Sequence, residues 1–61
     1  MSYRYFSRMR DANRLYNALT EETGYLPSWF RDGRSYRVQE DRIGNDEMDR
    51  IMSRLGLQVE E

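Results

Sequence analysis

The sequence predicts a small α+β domain. Its elements run β-α-β-β-α(-β), a two-layer sandwich of a small antiparallel sheet with two helices on one face. Three observations predict it. Apolar residues recur with helical spacing in the stretch after Ser7 and again after Asn45. Leu26 to Val38 holds a turn signal between aromatic-rich arms, and Tyr3-Arg4-Tyr5-Phe6 has the composition of a strand. At 61 residues the chain reads as a single domain, 1–61.

Tyr3 to Phe6 forms the first short strand. Ser7 is the candidate N-cap of a helix running to about Thr23. Met9, Ala12, Leu15, Tyr16 and Leu19 cover an arc of roughly 120° and predict its buried stripe. Arg10, Arg14, Asn17 and Glu21 fall on the opposite side, and Gly24 stands at the C-cap position. Asp32-Gly33 predicts a hairpin with a two-residue loop. That loop sets Arg31 opposite Arg34, Phe30 opposite Ser35 and Trp29 opposite Tyr36. Trp29, Tyr36 and Val38 then share one face, expected to be the core. Phe30, Ser35 and Arg37 share the other, with Phe30 exposed. Pro27 is tolerated near the start of a strand. Gln39 to Gly44 predicts a polar loop. Asn45 or Asp46 is the candidate cap of a second helix with the stripe Met48, Ile51, Met52, Leu55 and its end at Gly56. Leu57-Gln58-Val59 alternates as a brief final strand would, and Glu60 and Glu61 form a solvated tail.

Composition narrows the chemistry. Without Cys or His, neither disulfides nor structural zinc can reinforce so small a core. Stability must come from packing the 38 % apolar residues or from a second copy, so a homodimer is one expectation. No run approaches the roughly 20 apolar residues that cross a bilayer, and Met-Ser-Tyr-Arg-Tyr-Phe-Ser lacks the apolar stretch of a secretory signal. The expectation is a cytoplasmic protein with no membrane partner. There is no His base, Cys nucleophile or Lys amine, and no glycine-rich phosphate loop. No enzyme, cofactor or metal is therefore expected. Glu40, Asp41, Asp46, Glu47 and Asp49 read as a solvated face and a helix cap, and their spacing does not match an EF-hand loop.

All 10 basic residues are Arg, which makes bidentate contacts to carboxylate or phosphate that Lys does not. A GC-rich genome explains the same bias without function. Residues 1–38 hold seven Arg against four acids, a formal +3; residues 39–61 hold three Arg against seven acids, a formal −4. Arg8 and Arg10 begin the first helix, where the macrodipole is positive, and Glu21 and Glu22 end it, where the macrodipole is negative. One reading is an acidic or phosphate-bearing partner docking near Arg4, Arg8 and Arg10. The other is ordinary solvated charges, with the two Glu reaching Arg elsewhere. Arg31, Arg34 and Arg37 gather in the hairpin, where a basic loop suits a carboxylate or a nucleic-acid groove. Eight of the 61 residues are aromatic, and most are needed as core. An aromatic sheet face with interleaved Arg would also suit base stacking, but the glycine-aromatic signature of sheet-based RNA modules is absent.

Leu-Pro-Ser-Trp-Phe-Arg-Asp-Gly-Arg-Ser-Tyr-Arg-Val, residues 26–38, resembles the wing of phage excisionases. That resemblance implies DNA contacts by Arg31, Arg34 and Arg37, although a strand and one long helix stand where that family has a helix-turn-helix. The whole element order is similar to SPOR domains, on Asp11-Ala12-Asn13-Arg14-Leu15, Gly24 and Tyr36-Arg37-Val38, which implies glycan binding through the sheet. Gln39-Glu40-Asp41 replaces the Gly-Pro-Phe stretch usual there. The sequence is best read as a small non-enzymatic binding protein, a regulator or inhibitor of the phage or mobile-element type that occupies a partner protein's surface. The expected contact centres on Phe30, Arg31, Arg34 and Arg37, with Arg8, Arg10 and Arg14 at its rim and an acidic partner favoured. A nucleic acid read by the same arginines is the alternative.

Overall fold

The computed structural model describes residues 2–58. Its elements are β1 (Ser2–Phe6), α1 (Met9–Thr23), β2 (Ser28–Asp32), β3 (Ser35–Glu40) and α2 (Asn45–Leu55). The strands form one antiparallel sheet in the order β1-β3-β2, with α1 packed against β1 and β3 and α2 against β1 and α1. This is the expected α+β sandwich. No helix among the described residues is long and apolar enough to cross a membrane.

The core follows from two periodicities meeting. Ala12, Leu15 and Leu19 from α1 and Met48, Ile51 and Met52 from α2 are buried against Phe6 and Val38 of the sheet. Phe6 pairs with Tyr36 and Arg4 with Val38, so even-numbered residues of β1 and β3 face the helices and odd-numbered ones face away. Met9 is 48 % exposed rather than part of the stripe, because it opens the helix before the first full turn has reached the sheet.

The helix ends differ from the expected caps by one residue. Arg8, not Ser7, is the N-cap of α1; its carbonyl accepts the N–H of Asp11 at 3.2 Å and of Ala12 at 3.3 Å. Gly44, rather than Asn45 or Asp46, caps α2. Asn45 is engaged elsewhere, since its Oδ1 accepts the Arg4 guanidinium at 3.1 Å. Gly24 and Gly56 end the helices as expected, with the Gly24 N–H on the Thr20 carbonyl at 2.9 Å. Glu22, at the unfavourable end of α1, reaches Arg54 of α2 at 3.4 Å.

The hairpin turns at Gly33-Arg34, not Asp32-Gly33. Asp32 pairs with Ser35, Arg31 with Tyr36, Phe30 with Arg37 and Trp29 with Val38. The reason lies in backbone sterics. An Asp-Gly loop of the I′ type needs positive φ at both central residues, whereas a II′ loop needs it only at the first. Gly33, at φ +60°, takes that first place, and among the described residues no non-glycine has positive φ. The expected Arg31–Arg34 pairing, with its like charges, disappears. The slip moves every pair by two positions, so the division into faces survives. Gly33→Ala is expected to cost about 1 kcal/mol from backbone strain, seen as a Tm lower by about 4–8 °C in a domain of this size. An unchanged Tm would show that the loop has another conformation open to it.

Two further corrections concern β2 and β3. Trp29 lies on the helix-side face, but β2 is an edge strand beyond the helices, leaving Trp29 37 % exposed rather than in the core. Its ring packs on Tyr36 at 5.5 Å between centroids. The polar segment expected as a loop begins later, because β3 runs on through Gln39 and Glu40 to pair with Tyr3 and Ser2. Leu57 and Gln58 form no strand, and Val59 lies outside the described residues.

Glu40 is the one buried charged residue among those described, 2 % exposed. Its Oε1 accepts the Arg42 backbone N–H at 3.0 Å and guanidinium at 3.1 Å, while Oε2 has no partner among the described residues. A half-satisfied buried carboxylate contributes bulk more than polar stabilisation. Glu40→Ala is therefore expected to cost about 2–3 kcal/mol and Glu40→Met less than about 1 kcal/mol, since volume-conserving swaps are tolerated best. Urea unfolding distinguishes the two; equal losses would mean that the carboxylate itself holds the turn.

Candidate sheet-face binding surface

An antiparallel sheet with helices on one side keeps polar residues on the other. This sheet sets three aromatic rings among the polar residues Ser28, Asp32, Ser35, Arg37 and Gln39 of that face. Tyr3 and Tyr5 of β1, Phe30 of β2 and Arg37 and Gln39 of β3 occupy the face away from the helices. Tyr5, Arg37 and Phe30 are paired neighbours and form one row across all three strands. Tyr3 meets Tyr5 edge to face, with centroids 5.7 Å apart. Tyr3 is 44 % and Phe30 40 % exposed, so large apolar surfaces face solvent where Thr or Lys would satisfy the fold.

Arg37 organises the row. Its guanidinium lies 4.4 Å from the centre of the Phe30 ring, within cation–π range. Its Nε stands 3.8 Å from Asp32 Oδ2, is buried, and has no hydrogen-bond partner among the described residues. The side chain is thus held flat on the sheet by stacking and by a loose ion pair.

The structure divides the other expected contact residues. Arg31 projects from the helix-side face, 5.8 Å over the Tyr36 ring, so it and Arg37 lie on opposite sides of the sheet. Arg34 sits in the turn. Arg8 and Arg10 start α1 at that same end of the sheet, because Phe6 pairs with Tyr36 and Asp32 with Ser35. The guanidinium groups of Arg8, Arg10 and Arg34 make no ion pair or hydrogen bond among the described residues and form a basic rim. Arg14 does not belong to it: its guanidinium donates to the Leu55 carbonyl at 2.6 Å, a cation at the negative end of α2. Arg4 is likewise occupied. It donates to Tyr3 O at 2.7 Å and to Asp49 at 2.6 Å, clamping β1 to α2.

Tyr3 and Tyr5 were absent from the expected contact set. The signal was present, since Phe6 must enter the core beside α1 and alternation then turns Tyr3 and Tyr5 outward. Elsewhere, Arg42 stacks on Tyr25 at 4.1 Å and borders an open hollow of about 490 Å³ with Glu22, Thr23, Ile43, Gly44 and Glu47. Among the described residues no three acidic side chains converge as a cation site would require.

No protein-family model, no curated protein and no solved structure matches this chain. Its class is defined by its own fold: a small α+β protein whose sheet is covered by helices on one face and aromatic on the other.

Proposed function

We propose that this is a small non-enzymatic binding protein that occupies a partner protein's surface with the open face of its sheet, as a regulator or inhibitor does. The observation that carries the reading is the row Tyr5–Arg37–Phe30, with Tyr3 against it, on a face that neither helix covers. Tyr, Phe and Arg are the residues enriched at the centres of protein interfaces. Rings already stacked lose little freedom on docking, which lowers the cost of binding. The basic rim of Arg8, Arg10 and Arg34 favours an acidic margin on the partner.

Affinity capture on the immobilised protein tests this. The expected result is a stoichiometric protein partner retained by the native chain and lost by Tyr5→Ala at unchanged Tm. A salt titration on mixed DNA and RNA supplies the contrary outcome: binding at low salt that falls steeply with rising salt would make the protein a nucleic-acid reader instead.

A further inference from the structure

β2 has one strand partner. All five of its residues are exposed, α1 packs chiefly on β1 and β3 and α2 on β1 and α1, and among the described residues nothing pairs with its outer edge. In a two-residue hairpin the pair flanking the loop is hydrogen-bonded. Asp32, Phe30 and Ser28 therefore turn their backbone groups toward β3, while Trp29 and Arg31 turn theirs outward. Outward N–H and C=O groups on an exposed strand are a template for a further strand.

The edge sequence Ser28-Trp29-Phe30-Arg31-Asp32 complements itself when run antiparallel about its centre. Phe30 then meets Phe30 at a position where backbones do not bond and side chains approach most closely. Trp29 meets Arg31 twice, each pair sharing two backbone bonds and placing a guanidinium by an indole. Ser28 meets Asp32, and no like charges oppose one another. Neighbouring registers are worse. Centring on Arg31 sets two guanidinium groups together, and centring on Trp29 sets Arg31 against Pro27, which has no N–H to give.

We infer that a second copy of this chain pairs with the outer edge of β2, antiparallel and centred on Phe30. The result is one continuous sheet in the order β1-β3-β2-β2-β3-β1. Edge pairing of this kind keeps both helix layers on the same side. The two open faces therefore join, and each Tyr5–Arg37–Phe30 row runs into its two-fold copy. The inference stands on the edge alone and does not require the partner-protein reading.

Two five-residue strands make a small interface, so association is expected to depend on concentration. Sedimentation equilibrium on the full chain from about 1 μM to about 1 mM should show the mass rising from 7.4 kDa toward twice that value. Because the chain has no Cys, Ser28→Cys and Asp32→Cys report the register. Mixed and oxidised, they should give a disulfide-linked pair that neither variant gives alone, since only the mixed pair brings Cβ atoms within bonding range. Arg31→Pro removes an outward N–H without touching a bond to β3 and should remain monomeric with native helical circular dichroism. Should that variant misfold, Trp29→Lys, which sets a second cation against Arg31, reads the same loss. A monomer across the whole range overturns the inference. So does a dimer whose mixed cysteines cross-link no better than either alone, or one that persists in the edge variant.

Discussion

Leu15→Ala is expected to leave the chain largely unfolded at physiological temperature. Leu15 is fully buried where α1 meets the sheet and α2, among Phe6, Leu19, Val38 and Ile51. Truncating such a leucine costs roughly 2.7–5 kcal/mol, the lost burial plus the cavity left behind. At about 0.05–0.15 kcal/mol per residue, a chain of this length has roughly 3–9 kcal/mol in total. The loss is comparable to the whole. Neither a disulfide nor a metal held by Cys or His stands behind it. Thermal melting followed by helical circular dichroism checks this. A Tm only about 4–8 °C lower, equivalent to about 1 kcal/mol, would mean that stability resides mainly outside this core, in a second copy above all.

The second large effect falls on binding and spares the fold. Tyr5→Ala and Phe30→Ala change residues on the uncovered face, which make no contact with the helix layer's buried cluster. Each is expected to weaken partner binding by about 30-fold or more, the consequence of losing an interface residue worth about 2 kcal/mol. Tm should move little by comparison with Leu15→Ala. The two variants also separate the two proposals. Phe30 lies on the strand edge where a second copy would pair, whereas Tyr5 lies on β1, at the far side of β3. Tyr5→Ala should thus lose the partner and keep the dimer, and Phe30→Ala should weaken both. Calorimetric titration against the captured partner measures the first quantity and sedimentation the second.

Local pattern was enough for much of this architecture. The helix stripes of Leu15, Leu19, Met48 and Ile51, the glycine helix ends and the division of faces in the hairpin all follow from periodicity and turn chemistry. What escaped the sequence depends on contacts distant along the chain. Trp29 looked like core because its face is the core face. Its exposure follows from β1 pairing with β3 and not β2, a choice made across some thirty residues that no local signal encodes. Asn45 looked like a cap until Arg4, far away in sequence, claimed its side chain. The loop slip had a local cause that competed with a stronger-looking signal: one positive φ at Gly33 is less strained than two shared with Asp32. The proposed binding surface was half legible. Phe30 and Arg37 share the open face as read from the hairpin, but their neighbours Tyr3 and Tyr5 emerge only once Phe6 is fixed inward.

Resonance mapping of the isotope-labelled protein, titrated with its captured partner, tests the account most directly. The account predicts that the rings of Tyr3, Tyr5 and Phe30 and the side chain of Arg37 shift or broaden first, while the solvent-facing positions of α2 such as Arg50 and Ser53 stay where they were. Perturbation concentrated on those helix positions, with the four open-face side chains unmoved, would contradict it.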